Sequence, residues 1–130
     1  MSERAPALGR HLLADFYGVA ARVLNDAHAL ETTLIAAARA AGAVPLEKKF
    51  HEFGGGGVTG VVLLKESHIS VHTWPEHGFA AVDVFMCGGA RPQAAVSAIE
   101  RAWRPARVIV RESGRGEHLA PEDYEQEVKT

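Results

Sequence analysis

The chain contains six stretches whose hydrophobic positions predict β-strands. They are rich in β-branched, aliphatic or aromatic residues, and turn-forming glycine or proline residues lie near most of their ends. In the middle of the chain, short turns separate consecutive stretches, which favours antiparallel pairing. The predicted strands span residues 10–17, 44–53, 58–64, 69–74, 79–87 and 106–112.

Two further stretches have the periodicity of amphipathic helices. In the first, spanning residues 26–41, Leu30 and Leu34 lie four residues apart on one face and a glycine follows the last turn. In the second, spanning residues 91–103, Pro92 suits the first turn and apolar residues recur at spacings of three and four. Both helices therefore have one face that must be buried.

The order strand, helix, strands, helix, strand predicts an α+β fold, a two-layer sandwich of a mainly antiparallel sheet with helices on one face. A length of 130 residues suits a single domain, here 1–130. We expect the charged, glycine-containing tail from Ser113 to be loose. The far face of the sheet would be uncovered, and its predicted apolar residues would need a partner. These residues are Val61, Leu63, Val82 and Val84.

Composition and charge narrow the kind of partner. Fourteen basic and sixteen acidic residues give a net charge of -2, which offers no general electrostatic reason to bind nucleic acid or an anionic membrane. The first residues lack a signal-peptide pattern, and no apolar run approaches the ~20 residues of a membrane span. We therefore expect a small-molecule ligand and a cytoplasmic location. The single cysteine, Cys87, excludes an internal disulfide.

Chemically reactive side chains are dense between Thr59 and Cys87. Serine, histidine and cysteine together suggest nucleophilic catalysis, but no Gly-x-Ser-x-Gly elbow or cysteine-protease signature is present. A metal-binding module is a second interpretation, because His68 and His72 share one strand face and Asp83 or Cys87 could add a ligand. No paired-cysteine or His-Glu-x-x-His spacing supports it.

A family resemblance rests on three blocks of the sequence. They are KESHISVHTWPE at 65–76, GVTGVV at 57–62 and AAVDVFMCG at 80–88. Together they closely resemble the small prokaryotic S-adenosylmethionine decarboxylase proenzymes, and the resemblance extends from residue 9 to about residue 116.

The resemblance implies that the chain cleaves itself between Glu66 and Ser67. In this family the serine hydroxyl attacks the preceding carbonyl, the amide becomes an ester, and β-elimination releases a chain that ends at Glu66. Residue 67 then becomes a covalent pyruvoyl cofactor, which forms a Schiff base with the substrate amine and accepts its electrons, so that pyridoxal phosphate is not required. His72 matches the family's processing histidine, and Thr59 stands where relatives commonly carry a processing serine.

The resemblance also implies roles in substrate turnover and assembly. Cys87 corresponds to the catalytic cysteine that protonates the product carbanion, alongside Ser67 and His72 as catalytic residues. Phe53 corresponds to the aromatic residue that stacks on adenine, and Glu76 is a candidate for binding substrate hydroxyls or the sulfonium. The implied enzyme uses no metal, decarboxylates S-adenosylmethionine for polyamine synthesis, and is a homodimer of processed αβ protomers. The two sheets face each other in this dimer, with active sites at the interface.

Two alternatives remain within this resemblance. Superfamily members that decarboxylate free L-arginine or L-ornithine use the same pyruvoyl chemistry, and the glycines at 54–57 replace a segment that contains a proline in many relatives. Phe53 favours an adenosyl substrate. A chain that has lost activity and serves only as a regulatory partner is the other alternative, and the presence of Ser67, His72 and Cys87 argues against it.

One feature of the spacing conflicts with a regular strand. Ser67 and His72 are an odd number of residues apart and would point to opposite faces. A β-bulge or kink near Glu66 and Ser67 would reconcile them, and the same distortion would strain the bond to be cleaved. The sequence itself does not show such a distortion.

Overall fold

The computed structural model describes residues 7–128 and contains a six-stranded antiparallel sheet in the order β2-β3-β4-β5-β1-β6. The strands are β1 (Gly9–Tyr17), β2 (Pro45–Glu52), β3 (Val58–Leu64), β4 (Ser67–Trp74), β5 (Phe79–Cys87) and β6 (Arg107–Arg115). The helices are α1 (Ala21–Leu24), α2 (Ala27–Ala40), α3 (Pro92–Trp103) and α4 (Pro121–Val128), and a 3-10 turn, Pro75–His77, joins β4 to β5.

The predicted α+β two-layer sandwich is confirmed, because α2 and α3 pack together and cover one face of the sheet. Helix α2 contributes Leu30 and Leu34 to the core, and α3 contributes Ile99 and Trp103. The Trp103 ring meets Phe16 of β1 edge to face, with centroids 5.0 Å apart. Within residues 7–128, no helix is both long and apolar enough to cross a membrane.

The C-terminal part differs from the prediction of a loose tail. Strand β6 continues past Ser113 to Arg115, because β1 offers a free edge and pairs with it from Tyr17 back to Gly9. Helix α4 then follows, with Pro121 at its start and Glu122 in its first turn, where a negative charge complements the helix dipole. The prediction is therefore wrong for residues 113–115, which extend β6, and for residues 121–128, which form α4.

The uncovered face differs from the prediction at two of four positions. Val61 and Leu63 lie on this face, and Leu63 is 47% exposed. Val82 and Val84 are buried beneath the helices instead, because the even-numbered residues of β5 point to the core. The partner-facing assignment of Val82 and Val84 is therefore wrong.

The strand register arranges the uncovered face in four rows across β4, β5 and β1. In each row, directly paired residues lie side by side on the three strands. The rows are His68, Phe85 and His11; Ser70, Asp83 and Leu13; His72, Ala81 and Asp15; and Trp74, Phe79 and Tyr17. The last row is an aromatic ladder with ring centroids 5.4 and 5.1 Å apart. One end of this face is thus aromatic and apolar.

The buried hydroxyl of Thr73 links the end of α1 to the sheet. It accepts a hydrogen bond from the Val58 N–H and donates one to the Leu24 carbonyl, each at 2.8 Å. Both partners belong to backbone that the core encloses, since Leu24 and Val58 are buried. Thr73 therefore satisfies two backbone groups with one side chain.

We expect Thr73→Val to lower the free energy of unfolding by about 1–3 kcal/mol, because it leaves a buried donor and a buried acceptor without this partner. Urea denaturation measures the change. Thr32→Val on exposed α2 surface is the matched control, with an expected change within about 0.5 kcal/mol. Equal effects of the two substitutions would contradict the role given to Thr73.

Candidate active site

The β3–β4 hairpin presents Glu66 and Ser67 at one end of the sheet. Leu64 pairs with Ser67, so that only Lys65 and Glu66 form the turn. Glu66 has a φ of 72°, in the left-handed region that suits glycine, and this conformation costs a larger residue about 1–3 kcal/mol. The Glu66–Ser67 peptide bond therefore directly follows a strained residue.

The β-bulge that would reconcile the two residues is absent from β4. The register of β4 against β3 runs without interruption from the Thr59–His72 pair to the Leu64–Ser67 pair. The irregularity is the strained turn itself, which the chain adopts before β4 begins. Ser67 is consequently in phase with buried Ile69, whereas His72 lies exposed on the opposite face.

Cys87, at the end of β5, contacts both sides of the Glu66–Ser67 bond. Its backbone N–H donates a hydrogen bond to Ser67 Oγ at 3.2 Å. Its thiol donates to the Glu66 carbonyl oxygen at 3.4 Å. One residue thus orients the hydroxyl and polarises the carbonyl carbon beside it. We call Glu66, Ser67 and Cys87 the turn group.

Thr59 and His72 form a second contact, further along the same hairpin. They are directly paired across β3 and β4, and Thr59 Oγ1 lies 3.0 Å from His72 Nδ1. Such a hydrogen bond fixes the orientation of the imidazole ring and leaves Nε2 to accept or donate a proton. The two predicted processing residues therefore lie together.

A cavity of about 400 Å³ surrounds this pair. Its lining residues are Phe53, Gly56, Thr59, His72, Thr73, Trp74 and Glu76. Both residues predicted to bind substrate, Phe53 and Glu76, are thus in one cavity with both processing residues. The size is in the range of small-molecule sites. We call Phe53, Thr59, His72 and Glu76 the cavity group.

The turn group and the cavity group lie at opposite ends of β4. Ser67 and His72 are five residues apart, or about 16 Å at roughly 3.3 Å per strand residue. They also point to opposite faces, so that His72 cannot touch Ser67 of its own chain. The structure therefore brings the predicted residues together in two sets.

Sequence reasoning missed Trp74, which lines the cavity beside His72. Trp74 is 41% exposed, and its ring packs on Phe79. The sequence could have indicated this residue, because residues 72 and 74 lie on the same face of a strand and residue 74 directly precedes Pro75-Glu76.

The residues considered for a metal site are separated. His68 packs against the ring of Phe85, and Asp83 accepts a hydrogen bond from Ser70 at 3.4 Å and lies 3.7 Å from His11 Nε2. Within the part of the chain that the structure describes, no three His, Cys, Asp or Glu side chains are grouped to hold a metal ion. The arrangement therefore offers no support for the metal-binding alternative.

Arg10 and Glu112 form an exposed ion pair. The hydrogen bond to Glu112, 2.9 Å long, raises the pKa of Arg10, and the same bond lowers the pKa of Glu112. This pair joins β1 to β6 at the strand surface. Neither residue belongs to the turn group or the cavity group.

Comparisons with known proteins all indicate one family. A sequence model described as S-adenosylmethionine decarboxylase matches residues 10–116. The S-adenosylmethionine decarboxylase proenzyme of Caldanaerobacter subterraneus subsp. tengcongensis is 46% identical over 111 residues, covering 85% of this chain and 90% of the relative. The proenzyme of Pelotomaculum thermopropionicum is 43% identical over 122 residues, covering 93% and 95%.

Solved structures indicate the same family and fold. The adenosylmethionine decarboxylase of Aquifex aeolicus VF5 superposes with a TM-score of 0.80 at 39% identity, covering 86% of this chain and 93% of that one. The Trypanosoma brucei AdoMetDC-delta26 monomer shares the fold, with a TM-score of 0.61 at 15% identity, covering 89% of this chain and 55% of that one. Because the family model matches most of the chain and the relatives are matched over nearly their full length, the chain belongs to the S-adenosylmethionine decarboxylase family.

Proposed function

We propose that this protein cleaves itself between Glu66 and Ser67 and then decarboxylates S-adenosylmethionine with a pyruvoyl group derived from Ser67. The observation that carries the proposal is the double contact of Cys87 with Ser67 Oγ and with the Glu66 carbonyl oxygen. The names of the relatives support the choice of substrate.

Self-cleavage begins at the strained turn. Ser67 Oγ adds to the Glu66 carbonyl carbon, the C–N bond breaks, and the nitrogen of residue 67 becomes a free amine beside a new ester. Removal of the Cα proton of residue 67 then breaks the Cβ–O bond and releases the Glu66 carboxylate. The remaining dehydroalanine tautomerises and takes up water, releasing ammonia and leaving a ketone.

Cys87 supports the first of these steps in two ways. Its backbone N–H holds Ser67 Oγ in place, and its thiol donates to the oxygen on which negative charge develops, as in an oxyanion hole. Cleavage also releases the left-handed conformation of Glu66, because this residue becomes a chain end. The strain is therefore relieved in the forward direction.

The residues of the turn group suit a pyruvoyl group at position 67. Once formed, this group supplies an electron sink for loss of carbon dioxide from a bound amine. The Cys87 thiol lies against the same position and can hold the proton that the product carbon must receive. Its location at the end of β5 leaves it half-buried.

The cavity group belongs to the same site through a second copy of the chain. His72 and Ser67 of one chain lie about 16 Å apart on opposite strand faces, so a base for the Cα proton must come from elsewhere. The uncovered sheet face is partly apolar, with Leu63, Tyr17 and Trp74 each at least 39% exposed. A two-fold dimer with its sheets face to face covers this surface and joins the turn group of one copy to the cavity group of the other.

The cavity suits an adenosyl sulfonium. Phe53 is 51% exposed and offers a ring on which adenine can stack, and Glu76 supplies a carboxylate for the positive charge or the ribose hydroxyls. Free arginine or ornithine would leave the ring of Phe53 without a partner. The product of the proposed reaction is decarboxylated S-adenosylmethionine, an aminopropyl donor for polyamine synthesis. The cytoplasmic location stays a prediction.

The first prediction from this proposed function is that the purified protein consists of two fragments divided between residues 66 and 67, whereas Ser67→Ala remains one chain because it has no attacking oxygen. Denaturing electrophoresis and intact-mass spectrometry measure this. Ser70→Ala, on the same strand, is the matched control and should cleave normally. An uncut wild-type chain that releases carbon dioxide from S-adenosylmethionine would refute the mechanism.

A second prediction tests whether the site is shared between copies. His72→Ala alone should stay uncut, and Ser67→Ala alone should stay uncut. When the two are co-expressed, the His72→Ala chain should be cleaved in mixed dimers, which hold about half of its copies if pairing is random. Different tags identify the cleaved chain by mass spectrometry. No cleavage in the mixture, with mixed dimers present, would place His72 in the site of its own chain.

A third prediction concerns the substrate. Phe53→Ala should lower kcat/KM for S-adenosylmethionine by about 10–100-fold, the loss of one aromatic stack, while self-cleavage stays intact. Phe53→Tyr keeps the ring and should stay close to wild type. Carbon dioxide release is measured with S-adenosylmethionine, L-arginine and L-ornithine. Turnover of either amino acid that is insensitive to Phe53→Ala, with none of S-adenosylmethionine, would favour the alternative substrate.

A further inference from the structure

The loop from Phe53 to Gly57 forms one wall of the cavity and is closed by its own backbone. The Phe53 N–H donates to the Gly57 carbonyl, and the Gly56 N–H donates to the Phe53 carbonyl, each at 3.0 Å. Gly56 and Gly57 have φ values of 103° and 96°, which other residues rarely adopt. Four glycines provide no side chain to pack, so any further contact that fixes this loop must come from outside it.

Asn25 provides such a contact from the link between α1 and α2. Its Oδ1 accepts a hydrogen bond from the Gly57 N–H at 3.0 Å. Gly57 also lies tightly against β4, since a Cβ atom there would stand 2.9 Å from the Thr73 carbonyl oxygen. The glycine loop is thus held between Asn25 and the sheet.

Asn25 is itself well anchored. Its backbone N–H donates to the Ala21 carbonyl at 3.0 Å, and the preceding residue, Leu24, accepts the buried hydrogen bond from Thr73. The side chain of Asn25 therefore extends from a backbone that is fixed to the core. It does not line the cavity and belongs to neither group of reacting residues.

We propose that Asn25 is a positioning residue for substrate binding: its carboxamide oxygen holds the Gly57 N–H, and through it the loop that presents Phe53 to the substrate. This rests on the proposed function. Without the acceptor, the glycine loop has many accessible conformations, and the substrate must restrict them when it binds. The effect falls on affinity and leaves the distant Glu66–Ser67 bond unaffected.

The experiment compares three variants of the full-length, self-processed enzyme. Asn25→Ala removes the acceptor and should raise KM for S-adenosylmethionine about 3–10-fold, the value of one hydrogen bond, with kcat changed less than about twofold. Asn25→Asp keeps an acceptor oxygen of the same reach and should restore KM. Hydrogen exchange followed by NMR should show a faster Gly57 amide in Asn25→Ala only.

Asp26→Ala is the matched control for simple destabilisation. Asp26 caps α2 by accepting from the Ala29 N–H at 3.0 Å, and it has no bond to the loop. This variant should lower Tm while KM and the exchange of Gly57 stay at wild-type values. A KM that follows Tm across the variants would overturn the positioning role.

Two further outcomes separate this proposal from the one on which it rests. If Phe53→Ala raises KM and Asn25→Ala does not, Phe53 binds substrate and the role of Asn25 is wrong. If neither raises KM, the substrate does not use Phe53, and both assignments fall. An Asn25→Asp protein as impaired as Asn25→Ala also contradicts a role that depends on the acceptor oxygen.

Discussion

The alternation of side chains along β4 is the constraint on which both the core and the site depend. This strand lies inside the sheet, paired with β3 on one side and β5 on the other, so its register is fixed from both sides. Ile69 and Val71 point to the helices and are fully buried. His72 and Trp74 must then point to the uncovered face. A slip of one residue would exchange the two sets and lose the core.

The same register explains where strain can be stored. A rigid central strand that begins at Ser67 leaves only two residues to return from β3, and Glu66 takes the left-handed conformation as a result. An isolated hairpin would relax such a turn, but the packed sheet holds it. Cys87 ends the neighbouring strand at the same level, which explains its contacts with both sides of the Glu66–Ser67 bond. The Glu66–Ser67 bond is therefore next to a strained turn residue and is also contacted by a residue from a neighbouring strand.

Much of the fold was predictable because it depends on local patterns. The helix periodicity located α2 and α3 to within a residue or two, and the strands were located by their composition. The phase of β5 could not be determined, since apolar residues occupy both faces in Ala80, Ala81, Val82, Val84 and Phe85, and the errors at Val82 and Val84 follow from this. The extension of β6 depends on the free edge of β1, about a hundred residues earlier in the chain, which no local pattern reveals.

The sequence assigns residue types to the candidate site, but it does not give their arrangement. Resemblance to a family selects Ser67, His72 and Cys87 individually, whereas their separation into two groups follows from the straight register of β4. Within one chain, a regular strand cannot bring its two ends to one point. A bulge in β4 would turn Ser67 and His72 to the same face, but it would also shift part of the strand out of phase with the core. Joining two copies through their uncovered faces avoids this conflict, because each copy keeps a regular strand. In the proposed dimer, the exposed aromatic ladder at Trp74, Phe79 and Tyr17 is then part of the surface that brings the two groups together.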